Sequence, residues 1–441
     1  MNLQELKEKI AAAGVIGAGG AGFPTAVKIA PGADTLLINA SECEPLLYTD
    51  FHLLQHHIDT IVQGAELVLQ AAEIPRAILA LEEHSALRLN WEHGHRLSAH
   101  VTVHVLPDAY PAGDEIILVY QVLRRIIRPG KLPISEGVIV LNAETLYNVC
   151  RAVEEGIPVT EKWLTIAGKV KQPTVLRVPV GMPVRDLLEQ LGETVPENCV
   201  AIDGGPAMGL LIDPNTAVVR KTTKGIVILP RDIPAVTNKL AKERVIRVHA
   251  TSNCCQCTLC TDLCPRALIG YPLTPHLIVR TPVDAVKQNP ERYTEAILCS
   301  NCGICELVAC CQGISPRRMY TQVKNILAQN GIRYTKAVEP EADPEREYRM
   351  VPPSRFKRLL GVANLDKMPV ATEQAFRPRE IRLPLKQHAG ALAIAAVKVG
   401  DLVQCGDVVA EADGAISARI HSSVNGRVSR ISPAEIVLLP E

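Results

Sequence analysis

Two runs of cysteines carry the spacing most suggestive of chemistry in this chain. Cys254, Cys257, Cys260 and Cys264, followed by Pro265, read C-x2-C-x2-C-x3-C-P, and Cys299, Cys302, Cys305 and Cys310 repeat the pattern with one extra residue before the last member. That spacing wraps a polypeptide around a [4Fe–4S] cube. A cubane needs four thiolates converging from different directions. Three cysteines on a tight loop supply one side, and the fourth comes from farther away. In two-cluster ferredoxins the fourth cysteine of each run serves the other run's cluster. By that rule Cys254, Cys257 and Cys260 pair with Cys310, and Cys299, Cys302 and Cys305 with Cys264. The chemistry implied is single-electron transfer between two neighbouring clusters.

Other uses of these thiols fit less well. Zinc favours two separated C-x2-C pairs over consecutive ones. Disulfides suit an oxidising compartment, and no secretory signal opens the chain. Cys255 and Cys311 lie inside the runs but outside the ligand spacing. Cys311 stands where Pro265 stands in the first run, so it competes with Cys310 for the fourth-ligand place. Cys43, Cys150, Cys199 and Cys405 are isolated and read as buried small apolar residues.

The elements that position these thiols must come from several domains, because the chain has 441 residues. It is 47% hydrophobic, 21% charged and formally neutral, which suits a globular protein with a core and not a nucleic-acid binder. Aromatic residues, at 3%, are too scarce for a stacking platform. No apolar run approaches the roughly 20 residues that span a bilayer, so the chain reads as not membrane-spanning. Met1 to Gly14 reads as an amphipathic helix with Leu3, Leu6 and Ile10 on one face, either packed or used for docking.

Residues 1–158 alternate strand and helix patterns. Apolar runs at Thr35–Asn39, Ala77–Leu81, Val101–Leu106 and Gly137–Leu141 are separated by helical patterns such as 51–72 and 114–127, which predicts an α/β sheet. Residues 159–235 are rich in β-branched residues and turns and carry one short helix, Pro183–Leu191. The cysteine runs occupy 245–335. Residues 336–380 are rich in charge and proline and read as a linker with little structure, and 381–441 as a small β-sandwich.

Gly17-Ala-Gly-Gly-Ala-Gly-Phe-Pro-Thr25 is a second chemical signal. Its glycines let backbone N–H groups approach an anion, and a helix beginning near Pro24 or Thr25 adds a favourable dipole. No strand precedes it, so it is not the dinucleotide fingerprint. Four segments follow in order: Asn39-Ala-Ser-Glu-Cys-Glu-Pro45, Tyr110-Pro-Ala-Gly-Asp-Glu115, Asn142-Ala-Glu-Thr-Leu146 and Gly204-Gly-Pro-Ala-Met-Gly209. This set resembles the flavin-bearing subunit of respiratory complex I and, more closely, the RnfC family of the Rnf electron-transport complex.

The resemblance implies a multidomain α/β and α+β protein. Its parts are a Rossmann-like FMN/NADH domain, a β-grasp SLBB domain, a ferredoxin-like helical domain with two [4Fe–4S] clusters, and a C-terminal barrel-sandwich hybrid. It implies that Gly17, Gly19, Gly20, Gly22 and Thr25 hold the FMN phosphate. Glu42, Glu44, Tyr110, Glu115, Asn142 and Thr145 would surround the isoalloxazine and NADH. The sandwich lacks a lysine for biotin or lipoate, its likely hairpin reading His421-Ser-Ser-Val-Asn-Gly426, so a structural or docking role is expected.

The sandwich sits at the N-terminus in the RnfC family and at the C-terminus here. That order, with the longer second cysteine run, is similar to the cobalamin reductases of propanediol-utilisation microcompartments. This implies transfer from NADH through FMN and the clusters to cobalamin, for adenosylcobalamin regeneration. An adenosyltransferase and a shell protein would be partners, in the cytoplasm within a bacterial microcompartment. Asp50-Phe-His52-Leu-Leu-Gln55 only approaches a base-off corrinoid motif, and His52 reads as an ordinary helix residue. The rivals are a generic NADH dehydrogenase module feeding another partner and a flavin-free electron conduit.

Overall fold

The computed structural model describes residues 1–372 and 374–441. The four apolar runs form strands β1 (Thr35–Asn39), β2 (Ala77–Glu82), β3 (Val101–Leu106) and β4 (Val138–Asn142). They pair in the order β3-β2-β1-β4, every pair parallel. Such strands are covered on both faces, which is why they read as near-continuous apolar runs. Leu36 and Ile38 enter one core with Ile61, Ala65 and Leu146, while Leu37 enters another with Ala80, Ile117 and Leu118. The helical pattern at 51–72 is two helices, Thr49–His56 and Ile58–Ala72, broken at His57. Strand order reverses at β1, which has β2 on one side and β4 on the other. The crevice beyond the carboxyl ends of β1 and β4 is therefore the position where open α/β sheets bind ligands.

A second sheet is built from β5 (Glu161–Gly168), β6 (Thr174–Pro179), β7 (Cys199–Asp203), β8 (Leu210–Ile212), β9 (Gly225–Pro230) and β10 (Val370–Ala371). Its order is β10-β6-β5-β9-β7-β8, and helix Val184–Gln190 packs its Leu187 and Leu188 into the same core. The C-terminal unit is a four-stranded and a three-stranded sheet, and its Ile381, Leu383 and Leu438 share that core with Leu176 and Val178. The stretch His421–Gly426 crosses from one of these sheets to the other and is not a simple hairpin. Ser423 is buried there and donates to the Val180 carbonyl at 2.6 Å, so this turn packs against the β-grasp unit.

Residues 336–380 are expected to have little structure, yet parts of the stretch pack against the rest. They hold helix Pro353–Leu360, whose Phe356 and Leu360 are fully buried. The Tyr110 N–H donates to the Val351 carbonyl at 2.9 Å, and the rings of Tyr110 and Phe356 stack at 3.9 Å. Local composition is polar because only one helix face is covered. The N-terminal helix, Leu3–Ala12, has a capping box between Asn2 and Glu5 and buries Leu6 and Ile10, so it is a packed element.

Candidate functional site

The glycine loop crosses the β1/β4 crevice. The Ala18 N–H donates to the Thr145 hydroxyl at 3.0 Å, and a Cβ on Gly19 would sit 3.6 Å from the Cβ of Asn142. Asn142 ends β4, caps helix Ala143–Cys150 and donates to the Asn39 carbonyl at 3.1 Å and to Asp50 at 2.9 Å. The loop is thereby fixed to both strand ends. Gly20 has φ +111°, and a Cβ there would meet nothing within 4 Å. Its backbone faces open space in a conformation that other residues avoid. Gly22, at φ +64°, is walled in by Thr222 and His388, and its carbonyl accepts from Ala389 at 2.9 Å. The C-terminal sandwich therefore holds the far end of the loop.

Thr25 does begin a helix, but Thr25–Lys28 is a single turn. The dipole assistance expected of that helix is correspondingly slight, and anion binding falls to the loop N–H groups. The Thr25 hydroxyl is buried without a hydrogen-bond partner among the described residues. An open glycine backbone and an unpaired buried hydroxyl fit a phosphate-bearing flavin.

The acidic residues occupy two clusters. Glu42 accepts from the N–H groups of Thr49, Asp50 and Phe51 at 2.9, 2.9 and 3.3 Å, closing the start of helix Thr49–His56. Burial, then the Asp50 carboxylate, pushes Glu42 up to about 8 against the pull of Lys224. Glu44 faces the other way. It accepts from Ala207 and Met208 at 3.0 and 2.9 Å and lies 3.0 Å from the Tyr110 hydroxyl. A Cβ on Gly205 would come within 2.1 Å of Glu44 Oε2, so the GGPAMG turn needs glycine there. Burial raises the Glu44 pKa, opposed first by the Ala207 N–H and then by Lys239. Glu115 pairs with Lys28 at 2.6 Å, tying the Tyr110 segment to the residues just after the glycine loop. Each of these carboxylates thus has partners within the chain.

Four charged residues of this region are not singled out by the sequence. Lys224 of the β-grasp unit pairs with Asp50 and lies 3.5 Å from Glu144, which also pairs with the fully buried Lys162. They are far apart in sequence and share no motif. Glu144 alone falls within one of the four segments named above, Asn142–Leu146. His52 is 9% exposed and packs 4.8 Å from the Trp163 ring, and burial lowers its pKa to about 4. It is a packed helix histidine.

The cysteine runs form two thiol-lined clefts. Cys264, Cys299, Cys302 and Cys305 line one of about 380 Å³ with Arg266, Arg317 and Tyr320. Cys254, Cys257, Cys260 and Cys310 line the other, of about 360 Å³, with Cys255, Cys311 and His276. The fourth cysteine of each run therefore lies with the other run. Both loops use left-handed residues at matching places, Gln256 and Thr258 in the first and Asn301 and Gly303 in the second. The shared turns explain the shared spacing. The extra residue of the second run is taken up by a π-helical turn, Cys305–Ala309, where the first run has an α-helical one, Leu259–Asp262.

Burial is the largest cause raising Cys260 and Cys302 to about 12 and Cys264 to about 11, and neighbouring thiols add to it. Thiols so placed ionise when a cation takes them up. Four convergent thiols in each cleft fit a [4Fe–4S] cluster. The Ile314 N–H donates to the half-buried Cys310 sulfur at 3.3 Å, whereas Cys311 is exposed. Cys255, Cys257 and Cys311 thiols lie within 4.8 Å of one another, so the first cleft has more donors than a cluster needs. Of the isolated cysteines, Cys150 and Cys199 are buried and Cys43 is half-buried, accepting from Gly113 at 3.4 Å. Cys405 corrects the expectation of burial, being exposed at a turn of the sandwich.

A glycine loop on the switch point of a parallel sheet and paired four-thiol clefts define a flavin and iron–sulfur oxidoreductase. The chain matches the Nuo51 FMN-binding domain over 10–151, an SLBB domain over 164–193, a 4Fe-4S dicluster domain over 253–315 and the RnfC barrel sandwich hybrid domain over 366–439. It is 39% identical over 437 residues to cobalamin reductase PduS of Citrobacter freundii, covering 99% of this chain and 96% of that one. With PduS of Salmonella typhimurium it shares 39% over 445 residues, covering 100% and 97%. A component of the Na(+)-translocating ferredoxin:NAD(+) oxidoreductase complex of Acetobacterium woodii is 30% identical over 275 residues, 60% of this chain and 58% of that one. The chain belongs to the PduS cobalamin reductase family.

Proposed function

We propose that this protein is an NADH-dependent cobalamin reductase that supplies electrons for adenosylcobalamin regeneration during 1,2-propanediol degradation. The observation that carries the reading is the continuity of the site. The glycine loop rests on Asn142 and Thr145, and Tyr110 of the nearby acidic cluster reaches the Cys302 loop. Near full-length likeness to proteins named cobalamin reductase supports the acceptor.

Bound FMN and two [4Fe–4S] clusters would supply the conversion of a two-electron donor into single electrons. The chain's residues do the rest. Gly19 and Gly20 offer backbone to the phosphate, Gly17 and Gly22 close the two ends of the loop, and Thr25 lies close behind. Asn142 and Thr145 hold the loop in place. Glu42, Glu44, Tyr110 and Glu115 set the shape and charge of the flavin and nicotinamide pocket. Cys254, Cys257, Cys260 and Cys310 hold one cluster, and Cys299, Cys302, Cys305 and Cys264 the other. On this reading 1–158 is the FMN/NADH domain, 159–235 the β-grasp domain, 245–335 the cluster domain and 381–441 the sandwich, with 336–380 joining the last two. An adenosyltransferase and a shell protein are the proposed partners, within a cytoplasmic microcompartment. Among the described residues no helix is long and apolar enough to cross a membrane.

The test is anaerobic NADH oxidation by iron-reconstituted protein with hydroxocobalamin as acceptor, with and without FMN. Flavin-dependent appearance of cob(II)alamin is expected. Dye reduction without cobalamin reduction would replace this reading with a generic dehydrogenase module.

A further inference from the structure

The two thiol clefts repeat one loop conformation but differ in their surroundings. In the second-run loop Ser300, Asn301 and Cys302 are half-buried, and Gly303, Ile304 and Cys305 are buried. In the first-run loop Cys255, Gln256 and Cys257 are exposed. The equivalent apolar residues show the contrast best, Ile304 being 1% exposed and Leu259 42%. Ile304 packs into a core with Tyr110, Ala207 and Phe356, drawn from three other parts of the chain. The Tyr110 hydroxyl is 2.7 Å from the Cys302 carbonyl. Buried Arg317 pairs with Glu306 and donates to the Ala207 carbonyl at 2.7 Å, bolting this cleft to the GGPAMG turn. Beside the first-run loop, Leu277 is 58% exposed next to His276 of the cleft wall.

We propose that the two clefts act in a fixed order. The Cys264, Cys299, Cys302 and Cys305 cleft receives electrons from the flavin side. The Cys254, Cys257, Cys260 and Cys310 cleft delivers them to the acceptor at the exposed edge formed by Gln256, Cys257 and Leu259. The inference rests on the flavin and NADH reading above. Electron transfer weakens steeply with distance, so the receiving centre must be the one in contact with the flavin-side residues. The delivering centre must be the one a bulky acceptor can approach. Each transfer oxidises the receiving centre and reduces the delivering centre by one electron. Oxidation of one NADH to NAD⁺ and one H⁺ then reduces two cob(III)alamin to two cob(II)alamin.

The test uses full-length, fully loaded protein, with Cys257→Ala and Cys302→Ala variants followed by electron paramagnetic resonance. With Cys257→Ala, NADH is expected to reduce the remaining cluster while cobalamin reduction falls at least tenfold. With Cys302→Ala, dithionite is expected to reduce the remaining cluster and NADH to leave it oxidised. Rapid NADH reduction of that cluster, or undiminished cobalamin reduction by Cys257→Ala, overturns the order. Unmodified protein gives an independent check that does not depend on the variants folding. A soluble paramagnetic relaxer such as a gadolinium chelate should speed relaxation of one cluster's signal far more than the other's. The susceptible signal should be the one with the stronger coupling to protons exchangeable in D2O. Equal susceptibility of both signals overturns the proposal. If NADH reduces neither cluster, the donor reading fails, and photoreduced flavin then replaces NADH. Retention of the same order under that donor upholds the inference, and its reversal overturns it.

Discussion

The Tyr110 hydroxyl lies 2.7 Å from the carbonyl oxygen of Cys302. The same hydroxyl is 3.0 Å from Glu44. One phenolic proton faces two acceptors, and burial raises the Glu44 pKa. A residue of the α/β unit thus fixes the backbone of a thiol loop. Tyr110→Phe leaves the ring stack on Phe356 but removes both contacts. The expected cost is about 1–3 kcal/mol for the buried groups left unpaired, read by denaturant unfolding. Transfer from NADH to the clusters should slow, with FMN content unchanged.

Gly20→Val tests the phosphate cradle. Gly20 has φ +111° and open space beside it, so the added side chain would both strain the backbone and occupy the ligand's approach. FMN affinity, measured by fluorescence titration, should fall at least about tenfold, equivalent to ~1.4 kcal/mol. An unchanged affinity would remove the loop from the flavin site.

Cluster content separates the competing thiols. Cys257→Ser should lose about half of the iron and sulfide, since one of two four-thiol sites is broken. Cys310→Ser should do the same and Cys311→Ser should not, because Cys310 is half-buried and accepts an N–H bond while Cys311 is exposed. Loss of iron from the Cys311 variant alone would reverse the ligand assignment.

Lys224→Met examines the buried charges between the first two sheets. Asp50 and Glu144 would lose their shared cation, while Lys162 would still face Glu144. Removing one member of a buried ion pair typically costs ~3–5 kcal/mol. Chemical denaturation should show a loss of that order, and a change below about 1 kcal/mol would mean that water reaches the network.

Lys221 supplies a pH signature. It is buried, donates to the carbonyls of Gly14 and Arg419 at 2.8 Å each, and burial lowers its pKa to about 7 from 10.5. Between those values the unfolded chain binds more protons than the folded one, so this group makes stability rise with pH from about 7 towards 10.5. Relative to Lys221→Met, the unmodified protein should gain on the order of 2–3 kcal/mol between about pH 7 and 9.5. A parallel pH profile for the two proteins would show that the two carbonyls hold Lys221 charged.

The parts governed by local rules were legible in the chain itself. Four strands of an α/β sheet followed from apolar runs separated by helical patterns, because strands covered on both faces carry few polar residues. The two loops that set the thiols in register followed from C-x2-C-x2-C, since such spacing only serves a convergent site. What the sequence could not show is which distant residues share a buried surface. Residues 336–380 read as linker because their one covered face is diluted by charge and proline. Lys224, Asp50, Glu144 and Lys162 share no common motif, and only the packing of the β-grasp sheet on the α/β sheet makes them one network. Packing of the second-run loop against Tyr110, Ala207 and Phe356 buries Ile304, while Leu259 stays exposed. Two loops that share cysteine spacing and turn conformation are thereby given different environments, because burial depends on which other elements press on a loop and not on the loop itself.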